Sequence, residues 1–409
     1  MSDAAIGNMG ATRPTLADRL FLGMTFKDYV KSLATPFDTI AAAILLAGVP
    51  VIAWRFAFGL GAVTNLSQEV PWGLWIGFDM LCGVALAAGG FTLAAAVYMF
   101  GLETYRPVVR AAILTGFLGY LLAVVGLLFD LGQPWRIPYP IFVQWGPTSV
   151  MFEVGWCVFL YTTVLALEFI PAFFEWMGWT VLQKWVHKIE IAVIVLGIVL
   201  STLHQSSLGS LFLMAPHLIH PLWYSPLIPV FFFISAISAG LTMVIFESGL
   251  SHRLFRDRVD HGTHVDVDRI AIGLGRAGAV VLFALFFLRL QGLADGGHWR
   301  LLATGWGAWF LVEIVGFILL PSLVLAWGAR HENARLVRAG ALWAVLGVVL
   351  NRLNVSVIAF AWEAPNRYVP SWQELFVSLV IVTAGVVAFR WIVNRMPVLG
   401  AKPAPAAGR

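Results

Sequence analysis

Residues 187–208 read HKIEIAVIVLGIVLSTLHQSSL, and the length of this apolar run decides the fold class. From Ile189 to Leu203 only Glu190, Ser201 and Thr202 are polar. Wound as a helix, about 20 such residues rise about 30 Å, the thickness of a bilayer's hydrocarbon core. The run then ends on a histidine, a glutamine and two serines, where ordinary spans carry almost nothing polar. His204 is therefore the first residue whose function needs explaining.

Nine further runs of this kind lie near 37–60, 72–100, 108–129, 150–172, 226–249, 269–291, 305–328, 337–360 and 373–393. The composition agrees: 409 residues, 60% hydrophobic, 12% charged, mean hydropathy +0.84. That is more apolar surface than a soluble domain of this size can bury, so an all-α integral membrane protein of about ten spans is expected. The expected organisation is an N-terminal tail over 1–36, a polytopic domain over 37–395 and a C-terminal tail over 396–409. The first segment carries Arg13, Arg19, Lys27 and Lys31 without a short apolar stretch and cleavage site, which reads as a retained tail.

Of the 26 Lys and Arg, 19 fall in the two tails and alternate connections. Five, Arg55, Arg136, Arg289, Arg300 and Arg367, fall on the other side, and Arg276 and Arg352 fall within spans. The positive-inside bias then predicts both termini in the cytoplasm of a bacterial inner membrane. It also makes the net charge of +4 a topology signal, so no nucleic-acid partner is implied. Cys82 and Cys157 both lie in apolar runs, and two cysteines cannot build a zinc or iron–sulfur site.

On this topology Asp79, Asp130, Glu153, His204, Glu313, Asn351, Arg352, Asn354 and Glu374 gather toward the outer side, from seven helices. Ionisable groups within a span are costly and mark functional sites by default. Helix ends explain Asp130 and Glu374 as structural pairs; Asp79, Glu153 and His204 together are better read as a site. Inner-side Glu190, Glu247 and Arg276 more simply anchor helix ends. Of nine histidines only His204 is plainly intramembrane, so no two-histidine haem is expected. One imidazole, carboxylates and tryptophans such as Trp72, Trp75 and Trp223 suit a quinone, whose ring fills an aromatic slot while its oxygens exchange protons. The 131–149 and 209–226 connections, rich in Pro, Trp and Tyr and poor in charge, are expected to dock a partner. An echo between LAAGGFTLAAAVYMFG (86–101) and SAISAGLTMVIFESG (235–249) suggests a parallel repeat, or simply close helix packing.

DLGQPWRIPYP (130–140), TSVMFEVGWCVFLYTTVLALE (148–168), LHQSSLGSLFL (203–213), HPLWYSPLIP (220–229) and NRLNVSVIAF (351–360) together resemble the NrfD/polysulfide-reductase membrane-subunit family. Within it the chain is most similar to the ten-helix branch of HybB-type [NiFe] hydrogenase subunits and alternative complex III quinol-oxidising subunits. The resemblance implies two four-helix bundles with flanking helices, without haem or iron–sulfur cluster of their own. It implies a quinone, menaquinone or ubiquinone, bound at the outer side as substrate. It further implies an extracytoplasmic ferredoxin-like iron–sulfur partner and separate catalytic subunits. Asp79, Glu153 and His204 carry over as the quinone-site residues, the same three that depth and polarity select; Trp75 and Arg352 are expected beside the quinone from their place among the outer aromatic and polar residues. Gln133 stands where the family's motif commonly has arginine, which puts any cation role there in doubt. Sulfur-compound oxidoreductase and alternative complex III remain alternatives. A secondary transporter is disfavoured, because the polar residues crowd one side instead of the midplane.

Overall fold

The computed structural model describes residues 15–255 and 266–399, so 1–14 and 400–409 of the expected tails lie outside the described residues. Ten helices are long and apolar enough to cross a membrane. They are α1 (Pro36–Phe58), α2 (Trp75–Met99), α3 (Glu103–Asp130), α4 (Val150–Met177), α5 (Lys188–Leu213), α6 (Ile228–Leu254), α7 (Val267–Asp295), α8 (Gly305–Arg330), α9 (Ala334–Ile358) and α10 (Trp372–Val393). Their ends carry local signals. Thr35 caps α1 by accepting from the Asp38 amide, with Pro36 at the first turn. Ser371 and Glu374 form a reciprocal capping box on α10. Gly178, at φ 72°, takes the left-handed conformation that stops α4.

Helices α2 to α5 pack in a closed ring, and α6 to α9 form a second. The rings meet where α6 crosses α5 and α2, while α1 and α10 pair beside α3. Small residues set the closest crossing: a Cβ on Gly240 would stand 2.7 Å from the Ala88 carbonyl carbon and 2.8 Å from the Gly89 nitrogen. Backbone cannot yield as a side chain can. Gly240→Ala is therefore expected to cost about 1–3 kcal/mol, as overpacking does, read as a lowered melting temperature of the detergent-purified protein.

The helices are not uniform. Trp75–Cys82 and Ala95–Met99 in α2, Val312–Leu319 in α8 and Asn354–Ile358 in α9 are π-helical. Such wide turns rotate every residue beyond them away from the face that a 3.6-residue period assigns. Two basic residues also move. Arg55 and Arg289 are not in outer loops; both are buried at helix positions. Arg55 donates to the Phe129 and Leu131 carbonyls at 2.8 and 2.6 Å, capping the end of α3. At the other end of the molecule Arg395, just beyond α10, donates to the Leu20 carbonyl and, at 2.6 Å, to the Tyr29 hydroxyl, tying the N-terminal segment to the end of α10.

The outer connections expected to behave alike do not. Residues 209–226 turn inward: Phe212, Ile219, Leu222 and Trp223 are buried. The segment is pinned by an antiparallel bridge between Ile219 and Phe360, with the His220 amide donating to Ala359 and the Ala361 amide to Leu218. Burial, with His298 nearby, holds the His220 imidazole down to about 4, so its neutral Nδ1 accepts from the Leu222 amide. Trp223, wholly enclosed, is a core residue and not a docking contact.

Candidate functional site

At the outer end of α5, one-turn spacing puts Ser201, His204 and Ser207 near one face, turned into the first bundle. His204 is 0% exposed, and neither ring nitrogen has a hydrogen-bond partner among the described residues. Its ring lies 5.5 Å from Tyr120 of α3, which meets Tyr161 of α4 edge-on at 4.6 Å. Gln205 donates to the Val84 carbonyl of α2 at 3.1 Å. A buried polar group left without partners is expensive, and the two imidazole nitrogens share that state with the Tyr120, Tyr161 and Ser201 hydroxyls and the Gln205 side-chain oxygen, so this cluster is the strongest sign of a ligand position.

One turn beyond, the Ser207 oxygen lies 2.5 Å from Glu153 of α4 and 2.8 Å from the Leu203 carbonyl. A hydroxyl has one proton. With Glu153 ionised, that proton goes to the carboxylate. With Glu153 protonated, the acid donates to Ser207, and Ser207 donates back to Leu203. Ser207 thus matches either state of Glu153, a property the sequence does not display. Glu153 itself is exposed on the flank of α4.

Asp79 and Trp75 go elsewhere. Ser378 of α10 donates to Asp79 at 2.5 Å, and a Cβ on Gly126 of α3 would stand 2.6 Å from the Asp79 Cβ. Trp75 donates to the Glu374 carbonyl at 3.2 Å and packs on Phe129. Both residues face α3 and α10, so the expected meeting of Asp79 with His204 across the first bundle is corrected. The π-helical turn that carries them is the physical reason. Glu374 also accepts from the Tyr368 hydroxyl and the Asn65 amide, making this a separate outer centre between the first bundle and the flanking pair.

Arg352 lies in the second bundle. It donates to the Phe232 carbonyl at 3.1 Å and the Ser235 hydroxyl at 2.9 Å, with its guanidinium 3.8 Å from the centre of the Phe232 ring. Next to it Glu313, 0% exposed, accepts from Trp223 at 2.6 Å, Asn351 at 2.7 Å, Arg289 at 3.4 Å and Asn354.

Several positions of the two bundles correspond. LHQSS (203–207) aligns with LNRLN (350–354) at the outer ends of α5 and α9. Glu153 near the start of α4 aligns with Glu313 near the start of α8. Gln205 reaches a carbonyl on α2, and Arg352 reaches one on α6. Ser207 donates to Glu153 as Asn354 does to Glu313. Thr92 and Thr242 each back-bond the residue four before, Ala88 and Ser238. In the second bundle the carboxylate is saturated by four donors, whereas in the first Glu153 has Ser207 and His204 has no partner. This alignment was open to sequence reading through LxxxN and LxxxS, but the short runs carry little weight without the bonds.

A separate cavity of about 850 Å³ lies at the opposite end, lined by charged residues that include Arg106, Arg110, Glu168, Glu190, Asp266 and Arg269, together with apolar side chains. Glu168 is 15 residues along α4 from Glu153, about 22 Å, so this space is distinct from the His204 centre.

Two helical bundles with polar centres toward the same end define a multi-pass membrane protein. The chain belongs to the polysulphide reductase, NrfD family, whose model matches residues 62–360 and leaves α1 and α10 outside. A protein of Nitratidesulfovibrio vulgaris Hildenborough is 48% identical over 91% of this chain and 97% of its own length. The "Probable Ni/Fe-hydrogenase 2 b-type cytochrome subunit" of Escherichia coli K12 is 35% identical, covering 85% of this chain and 88% of that protein. The "Menaquinone reductase, integral membrane subunit" of Nitratidesulfovibrio vulgaris is 28% identical, covering 80% and 82%.

Proposed function

We propose that this chain is the quinone-reactive membrane subunit of a respiratory oxidoreductase, most specifically of a hydrogenase of the HybB type. The observation that carries this reading is the enclosed His204 with both ring nitrogens unpartnered, one turn from the Ser207–Glu153 pair. A quinone oxygen accepts a hydrogen bond from one imidazole nitrogen, and reduction to quinol adds two electrons and two protons. Electrons arrive from or leave to an extracytoplasmic ferredoxin-like iron–sulfur subunit, and His204 and Glu153 exchange the protons. Asp79 and Trp75, turned toward α10, act on this site only through α2 and α3. Arg352 belongs to the second bundle's framework.

The names of two relatives, a menaquinone reductase subunit and a hydrogenase subunit, support the class. The name of the second also contains a b-type cytochrome, so the His204 surroundings bear on haem. Tyr120 packs 5.5 Å from the imidazole, and the two-histidine ligation usual for a membrane b-type haem has no second histidine at this depth in the sequence. We infer that electrons pass through this chain without a haem. The basic-residue bias supports an inner-membrane protein with cytoplasmic termini, and more strongly now that Arg55 and Arg289 leave the outer tally.

The test is binding. One quinone analogue per chain is expected to bind the purified complex, with affinity reduced at least about tenfold in His204→Leu, which fills the volume but offers no polar atom. Unchanged binding in that variant places the quinone elsewhere.

A further inference from the structure

Residues 131–149 leave their hydrophobic side chains outward, in contrast to 209–226. Trp135, Phe142 and Trp145 are 69, 70 and 66% exposed, and Val143 is 66% exposed. The segment has one charged residue, Arg136. It does not stand off the bundle. Trp156 of α4 donates to the Pro140 carbonyl at 3.1 Å, and Phe142 meets Phe159 at 6.2 Å. Phe159 and Leu160 are themselves exposed on that flank of α4.

Depth follows from helix length. The 28 residues of α4 span about 42 Å against a hydrocarbon core of about 30 Å, an overhang of about 6 Å at each end. Phe159 is nine residues from Val150, about 13 Å along the axis, so with α4 upright and centred in the bilayer it lies about 7 Å inside the hydrocarbon. A segment that touches it there has its outward aromatic residues in lipid. Tryptophan and tyrosine favour that boundary, and a single charge permits it.

Glu153 sits at the edge of this segment. Trp145, Phe152 and Trp156 form a ring cluster around the first turns of α4, with centroids 5.2 to 6.0 Å apart. From there the 2.5 Å bond to Ser207 closes the way toward His204, which is wholly enclosed. An enclosed site for a lipid-soluble substrate needs an opening toward the lipid. A carboxylate on the lipid-facing flank, bonded to the helix that carries the site, marks where it is.

We propose that residues 134–145 form a lip that dips into the outer leaflet and borders a lateral doorway. The quinone head enters there by parting Glu153 from Ser207, with its isoprenoid tail lying along the lip. The doorway rests on the quinone reading above; the depth of the lip does not.

The test uses the intact complex in liposomes. Val143→Cys carries an environment-sensitive fluorophore, Cys82 and Cys157 being buried, and its signal is taken as the difference from the identically treated parent complex, which corrects for label on the other subunits. Quenching by nitroxide-labelled lipid and insensitivity to aqueous iodide are expected. Quenching by iodide, or insensitivity to both quenchers as at a surface covered by a partner subunit, overturns the lip. For the doorway, Phe142→Ala with Trp145→Ala should raise KM for a long-tailed quinone at least about threefold, the low end for lost aromatic contacts. The variant's kcat, and its KM for a short-tailed quinone, should stay unchanged. Equal changes for both quinones, or none, overturn the doorway. Failure of the quinone reading itself appears separately, as unaltered analogue binding in His204→Leu.

Discussion

His204→Gln is expected to lower quinone-linked turnover of the assembled complex about a hundredfold, the low end of what a positioned acid–base group contributes. Activity of the same complex with an artificial dye should stay unchanged. Glutamine fills a similar space and remains neutral and polar, so the fold and the attached partner should survive. It lacks the chemistry: an imidazole can donate through one nitrogen while the other takes up a proton, and an amide does not titrate near neutral pH. The enclosure sharpens the expectation. With Tyr120 against the ring and 0% exposure, bulk water has no route to stand in for the missing group. Loss of both activities means misassembly, and loss of neither makes His204 a structural residue.

The spans were legible because about 20 apolar residues have one economical use, and the described helices begin and end within a few residues of the expected positions in most cases. His204 was legible for the same reason, as a polar group in an apolar run. Which way a polar residue faces was less so. Asp79 turned to α10 because its helix is π-helical from Trp75 to Cys82, and a 3.6-residue projection misplaces every residue in such a turn. Arg55 and Arg289 looked like loop residues since hydropathy gives any arginine near a span end to the interface. Their partners, carbonyls at the end of α3 and the Glu313 carboxylate, are far away in sequence. The two outer connections share a composition yet pack oppositely, because 209–226 finds the 359–361 strand-like segment and Glu313, whereas 131–149 is held at Leu131 by Arg55 and farther along at the flank of α4. Composition cannot say which loop has a tertiary partner.

Glu313→Gln is expected to destabilise the protein by about 3–5 kcal/mol, the cost of leaving a buried charge without its counter-ion. Arg289, 5% exposed, has Glu313 as its ion-pair partner and otherwise lies over the Phe231 and Phe310 rings. Trp223, Asn351 and Asn354 also donate to this carboxylate, and an amide in its place offers one acceptor where two oxygens served four donors. The purified variant should therefore melt earlier and lose the monodisperse fraction in detergent. Glu313→Gln combined with Arg289→Met should recover a large part of the loss, since no buried charge is then stranded. The recovered double variant should bind the quinone analogue as the unaltered protein does, because the oxygens of the Glu313 carboxylate are already taken by the second bundle's own donors. Analogue binding that falls in the double variant while its melting temperature is restored would instead make Glu313 part of the quinone site, and the contrast between the two bundles would not mark the one that binds.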